Sequence, residues 1–275
     1  MTGELVEPLP AHDERALTLA VAELEHPSFI ARVAHYAGTP VDAAIKYLPD
    51  AVSRRLRDVI KTAMFKCLEV AIESLEEDEE LPPPSPWMGK VMTGFTGGVG
   101  GFFGMAALPF ELPLTTTLML RSIAEIARDE GEDVKSPETM LACLEVFALG
   151  GGRESRQEIA LEYYSVRTVL SQITRDVGRS LMERGALHAS TPLMARLIGE
   201  IVTRFGFAVT DRFASSAIPV IGAVGGATVN MIFMDHFQRV ARGHFTVRRL
   251  ERRHGAEIVR GHYRRAALEL NGGHA

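Results

Sequence analysis

Residues 91–121 read VMTGFTGGVGGFFGMAALPFELPLTTTLMLR. The twenty residues between Lys90 and Glu111 carry no charge, and six of the first fourteen are glycine. Glu111 then stands alone between Phe110 and Leu112, two residues after Pro109. Taking a carboxylate out of water is costly unless it is paired or hydrogen-bonded. Glu111 is therefore the first residue that a functional reading has to account for. Around it, and along the rest of the chain, apolar residues recur at threes and fours, and no strict alternation is long enough for a sheet. The expected fold is all-α: a helical bundle with two central glycine-rich apolar helical segments.

The second such segment is FASSAIPVIGAVGGATVNMIFM, residues 213–234, bounded by Arg212 and Asp235. Small residues stand four apart in both runs, as at Gly94 and Gly98, Gly222 and Gly226, or Ala223 and Ala227. That spacing lets helix backbones approach closely. Both runs are about as long as a bilayer span requires. Glycine, serine, threonine and alanine dilute them, however, and the paired glycines weaken an isolated helix in water. Two readings stay open, a pair of tightly packed central helices or segments that enter a membrane. A phosphate-cradling loop is not indicated, since there is no GxxxxGK[ST] and no strand-flanked GxGxxG.

Working outward, DERALTLAVAELE at 13–25 has helical spacing, with Asp13 as its expected N-cap and Leu19 and Leu24 on its apolar face. Residues 40–76 trace helical faces broken near Pro49, and EEDEELPPPSP at 76–86 reads as a solvated linker. A helix is expected from Leu112 to Arg128, with Pro113 in its first turn and Gly131 at its C′ position. Ser136 and Pro137 then cap and open TMLACLEVFALGG, which Gly150–Gly152 stop. Further helices are expected over 153–185 and 191–207, and the stretch from His236 onward is helical and rich in arginine, without lysine. The expected organisation is an N-terminal helical layer at 1–80, a proline-rich linker at 81–86, a helical core at 87–270 and a disordered tail at 271–275.

With 46% hydrophobic and 24% charged residues, the chain of 275 has ample material for a core. A net charge of −5 argues against a nucleic-acid binder held by a general positive field. Two cysteines, Cys67 and Cys143, are too few for a disulfide framework and read as buried thiols. The acidic opening MTGELVEPLPAHDERAL lacks the apolar stretch of a secretory signal, and the expected location is cytoplasmic, peripheral at the inner membrane.

The ordered blocks FELPLTTTLMLRSIAEIARDEGEDVKSPET and IPVIGAVGGATVNMIFMDHFQRVARGHFTVRRLE resemble the EcsC family of bacterial proteins. Glu111, Pro113, Arg121 and Gly131 match the first block of the family pattern. Pro219, Gly222, Asn230, Ala241, Phe245 and Leu250 match the second. Many relatives carry Asp where this chain has Glu111. The family takes its name from an association with an ABC-transporter operon. The resemblance thus implies a membrane-proximal setting and no particular reaction.

Three side chains are candidates for catalysis: Glu111, Asn230 and Asp235. Their convergence between the two uncharged runs could hold a cation or polar headgroup, or perform general acid–base chemistry. The alternative is structural, with Glu111 capping a helix at Leu112-Pro113. The binding candidates are Glu111, Arg121, Asn230, Asp235, Arg242, Arg248 and Arg249. RVARGHFTVRRLERRH sets Phe237, Val240, Ala241, Phe245 and Leu250 against a face of arginines. Such a helix can lie on anionic lipid, or its arginines can pair with carboxylates of the same chain. No HExxH, CxxC or paired ExxH occurs, so no metal or other cofactor is expected, and His236 reads as a helix-surface residue. The function expected first is a lipid-interacting accessory protein at a membrane, with an anionic lipid surface or a membrane protein as partner. A hydrolase of a lipid or small amphiphile using Glu111, and a soluble interaction module, are the alternatives, and whether the protein is an enzyme stays open.

Overall fold

A computed structural model describes residues 8–25, 50–76, 104–151, 162–184, 192–216 and 226–272. Among the described residues there are eight helices, α1 (Ala11–Leu24), α2 (Asp50–Glu76), α3 (Gly104–Asp129), α4 (Pro137–Leu149), α5 (Glu162–Arg184), α6 (Pro192–Ser216), α7 (Gly226–His254) and α8 (Ala256–Gly272). Among the described residues there is no strand, and the fold is an all-α bundle. The expected linker at 81–86 and the parts of the two glycine-rich runs at 91–103 and 217–225 lie outside the described residues.

The shortest helix holds the middle. In α4 every residue from Thr139 to Ala148 is buried, the pattern of a helix surrounded on all sides. It packs against α2, α3, α5, α6 and α7. Its ends are set by local chemistry, as expected: the Ser136 side chain accepts a hydrogen bond from the Thr139 amide, and Pro137 opens the first turn. Phe147 of α4 meets Phe205 of α6 and Phe237 of α7 at ring-centroid distances of 5.0 and 5.8 Å. Leu56, Ile60 and Met64 of α2 and Leu112, Met119 and Ile123 of α3 complete this main core.

A second core lies where α1 crosses α7 and α8. Leu17 and Val21 of α1 bury against Tyr163, Tyr164, Leu250, Val259 and Tyr263, each aliphatic side chain contributing about 1.5–3 kcal/mol on full burial. Gly243 lets α1 come this close, because a Cβ there would lie 2.7 Å from Leu24 Cγ and 3.0 Å from the Ala20 carbonyl oxygen. The apolar face of α1 is Leu17–Ala20–Val21, whereas Leu19 is 69% exposed.

Three boundaries differ from the sequence reading. Helix α1 begins after Pro10 without a side-chain cap, and Asp13 is a buried first-turn residue. Helix α6 runs on to Ser216. Helix α3 begins at Gly104 and continues through both Pro109 and Pro113. Each proline removes one backbone donor, and apolar packing of the following turns on α2 outweighs that loss. Thr116 Oγ1 and Thr117 Oγ1 bond back to the carbonyls of Leu112 and Pro113. Leu112-Pro113 is therefore not a helix N-terminus, and Glu111 stands seven residues into α3.

Candidate functional site

The α3–α4 connection ends in a tight, specific turn. Glu132 N–H bonds to the Ala127 carbonyl and Gly131 N–H to that of Arg128, with Gly131 at φ +78°. This is a Schellman arrangement, and a residue with a Cβ is strained at its C′ position. The turn aims Glu130 and Glu132 at the last two turns of α7. Arg248 Nε donates to Glu132 Oε1 at 2.8 Å and its NH2 reaches Glu138 at 3.2 Å. Arg252 also pairs with Glu132 and donates to the Glu130 carbonyl. Arg249 Nε lies 2.9 Å from Glu130 Oε2. Burial works against ionising Glu132, but Arg248 and Arg252 outweigh it and hold the carboxyl below its ordinary range.

Beside this turn, α5 clasps α7. Arg167 forms a two-pronged pair with Glu251, at 2.8 and 2.6 Å, and donates to the Tyr163 hydroxyl at 3.3 Å. Tyr164 donates to the same carboxylate at 3.1 Å. The Tyr163 hydroxyl also lies within hydrogen-bond distance of His244 Nδ1, 3.1 Å away. His244 Nε2 is buried and has no hydrogen-bond partner among the described residues. Burial, then the charges of Arg167 and Arg248, push the His244 pKa down and keep the ring neutral. Between turn and clasp opens a cleft of about 390 Å³, lined by Ser136, Thr139, Arg167, Arg248, Glu251 and Arg252 among others.

One carboxyl lies beneath this surface. Glu145 of α4 is 6% exposed. Desolvation raises its pKa to about 7 against the pull of Arg167 and Arg248 and a hydrogen bond with Thr174. The thiols of Cys67 and Cys143 are buried, as expected, and burial pushes the Cys143 thiol up to about 12, so neither is an activated nucleophile.

The family model for the EcsC proteins matches residues 14–250, from the start of α1 to the arginine face of α7. The chain belongs to the EcsC protein family. Neither the curated proteins nor the solved structures searched include a match to it.

In this EcsC chain the candidates for catalysis stand on α3 and α7, which pack against each other. The side chains of Glu111 and Asn230 lie outside the described residues, Glu111 on α3 and Asn230 on α7. Asp235 pairs with Arg239 one turn on, at 3.0 Å, and its side chain is 40% exposed. Arg121 pairs with Glu125 at 3.3 Å, again one turn on. Arg248 and Arg249 face carboxylates of the α3–α4 turn. Arg242 is exposed. His236, expected at the surface, is buried and hydrogen-bonds the Gly150 carbonyl at 2.7 Å, tying α7 to the end of α4.

The EcsC sequence reading missed Arg167, Glu251, Glu145 and the acidic turn. Asp13, expected as an N-cap, has another role: its carboxylate takes Arg253 at 3.1 Å and His254 at 2.7 Å, locking α1 onto the α7–α8 corner. A signal existed for the turn: residues 129–138 hold five carboxylates against one lysine, while 248–253 hold four arginines against one glutamate. Opposite excesses of that size point to each other. Among the described residues no three His, Cys, Asp or Glu side chains converge as metal ligands.

Proposed function

We propose that the protein is a non-catalytic accessory protein that works at a membrane surface, making contact through its uncharged glycine-rich runs and not through its arginine-rich helix. The observation that carries this reading is where the arginines point. Arg239, Arg248, Arg249, Arg252 and Arg253 all face carboxylates of their own chain. Of the arginines first considered for lipid binding on α7, Arg242 alone has no carboxylate partner among the described residues. One basic residue near an anionic surface contributes about 1 kcal/mol, too little to hold a protein of this size. The runs at 91–110 and 213–234, by contrast, offer twenty and twenty-two residues without a charge. The contact proposed is peripheral; no helix of the described residues is long and apolar enough to cross a membrane.

The hydrolase alternative finds less support at the cleft. Glu132, Glu138 and Glu251 are each paired with an arginine, and for Glu132 the two arginines outweigh burial and favour the carboxylate form, which disfavours proton transfer.

Flotation of the full chain on liposomes tests the proposal. The expected result is flotation on neutral and anionic vesicles alike that about 0.5 M NaCl does not reverse, because screening at that strength removes surface charge attraction. Flotation on anionic vesicles alone, stripped by salt, would assign the contact to basic side chains and overturn the proposal. Absence of flotation on both would overturn it as well.

A further inference from the structure

Residues 54–66 of α2 hold five basic residues, Arg54, Arg55, Arg57, Lys61 and Lys66, against the single acidic Asp58, in a chain whose net charge is −5. All five are exposed, and among the described residues no carboxylate pairs with any of them. The arginine face of α7 differs in this respect, since Arg239, Arg248, Arg249, Arg252 and Arg253 each engage a carboxylate of the chain.

Packing explains the helix and not its charges. Leu56, Ile60, Met64 and Leu68 bury the other side of α2 against α3 and α6. The cations, by contrast, carry a cost. Arg54 and Arg57 stand three apart and Arg57 and Lys61 four apart, so like charges are neighbours on the helix surface. Glu73 and Glu76 fall in the last turn, which has no basic residue, an order opposed to the helix dipole. That acidic end begins about 10 Å beyond Lys66 and about 28 Å beyond Arg54 along the helix. Both separations exceed the screening length of about 8 Å in physiological salt.

We infer that this face of α2 docks on an anionic lipid surface, adding an electrostatic contact to the membrane contact proposed above; the inference rests on that reading. Arg54, Arg57 and Lys61 lie within about 60° of one another around the helix axis, so their head groups reach one plane together. Arg55 and Lys66 form a second row about 100° away, within reach of the same surface because their apolar stems are long and flexible. Exposed apolar side chains flank the rows. Val70 follows Lys66 by one turn, and Phe207 of α6 stands next to Gly206, which packs on Ile60; both are 38% exposed. Apolar side chains beside cations suit the boundary between headgroups and acyl chains, and a phosphodiester backbone has no use for them.

Partition of the full chain onto vesicles of phosphatidylcholine, alone or with about 30% phosphatidylglycerol, tests the inference. At about 0.05 M NaCl the anionic vesicles should be bound about tenfold or more tightly than the neutral ones, since each basic residue at such a surface tightens binding about fivefold. At about 0.5 M NaCl the two should be bound alike, because screening removes the electrostatic part. In Arg54→Gln/Arg57→Gln/Lys61→Gln, which keeps good helix formers on α2, the low-salt preference should fall by about fivefold or more. A control of equal charge, Arg15→Gln/Arg264→Gln/Arg265→Gln at exposed positions of α1 and α8, should keep it. Equal binding to both vesicles at low salt, an unchanged preference in the α2 variant, or an equal loss in the control would overturn the inference. Preferential capture by a short DNA duplex added in competition would assign the face to nucleic acid and overturn it too. Binding to anionic vesicles alone, lost in the α2 variant, would uphold the α2 surface and overturn the glycine-rich contact. Salt-resistant binding with no anionic preference would do the reverse.

Discussion

The Arg167–Glu251 clasp can be measured by a double-mutant cycle. Arg167 is 18% exposed and Glu251 12%, and both prongs are short, at 2.8 and 2.6 Å. Charge-assisted hydrogen bonds of this kind contribute about 1.5–3 kcal/mol each, offset by the cost of drying both ions. In Arg167→Met the long apolar stem is kept and the charge removed. Glu251 is then left mostly buried with one remaining partner, the Tyr164 hydroxyl. Removing one member of a buried pair typically costs about 3–5 kcal/mol, and partial access of water to Glu251 places the expected loss near the lower figure. In the double variant Arg167→Met/Glu251→Met no charge is stranded, and the remaining cost, about 1–2 kcal/mol, is that of orphaned tyrosine hydroxyls. The coupling energy should therefore be at least about 1.5 kcal/mol. Urea unfolding followed by circular dichroism supplies each corner of the cycle, provided that the m-values agree. About 0.5 M NaCl should change the coupling little, because a buried pair is screened less than a surface one. A loss below about 1 kcal/mol in the single variant, or a double variant equal to the sum of the singles, would refute the clasp as a coupled unit.

Three further outcomes follow from the same geometry. His254 first, and then His12 and Arg253 against the opposing effect of burial, lower the Asp13 carboxyl from 3.8 to about 2. Its contribution is thus present above the unfolded value and lost as pH falls through about 2; Asp13→Asn should cost about 1–2 kcal/mol at neutral pH, after allowance for the exposed His12 and Arg253, and flatten the acid limb of urea midpoint against pH. For Glu145 the sign is opposite, since its folded value rises from 4.5 to about 7 and stability falls as pH rises through that interval; Glu145→Gln should be about 2–3 kcal/mol more stable than wild type at about pH 8 and show no gain at about pH 4.5, read from the same urea midpoints. In Gly243→Ala the new methyl meets Leu24 Cγ at 2.7 Å and the fixed Ala20 carbonyl oxygen at 3.0 Å, which should cost about 1–3 kcal/mol and speed amide exchange in α1, whereas unchanged protection there would refute the close approach.

Much of the fold was legible because it follows from local chemistry. Ser136 with Pro137 specifies the start of α4, and Gly131 the end of α3, with groups no more than a few residues apart. The apolar face of α7 was legible for the same reason: Phe237, Val240, Ala241, Phe245 and Leu250 lie on one side of a regular helix, and all are buried. Periodicity failed where two constraints compete. Pro113 reads as a first-turn residue, yet α3 runs through it, because one missing backbone hydrogen bond weighs less than the apolar side chains packed on α2. Leu19 reads as core, yet Leu17 and Val21 take that role once Gly243 has fixed how α1 lies on α7.

The polar sites were less legible because their partners are far apart in sequence. Arg248 and Glu132 stand 116 residues apart and Arg253 and Asp13 stand 240 apart. No local spacing reports such a pairing, so the arginine face of α7 suited a lipid surface as well as it suited its own chain. Composition alone can be consulted for that choice. The acidic turn at 129–138 supplies the counter-charge, and a helix whose basic face has a matching acidic segment elsewhere is poor material for a membrane anchor. The same logic separates Glu145 from Glu111. Both are single carboxylates in apolar runs, and the reading that drew attention to Glu111 applies with equal force to LACLEVFAL. Glycine and proline made the first run conspicuous, while the second passed for an ordinary core helix. A buried carboxyl is informative in proportion to how completely its surroundings exclude water. By that measure Glu145, buried within the central helix, is informative, and desolvation raises its carboxyl to about 7.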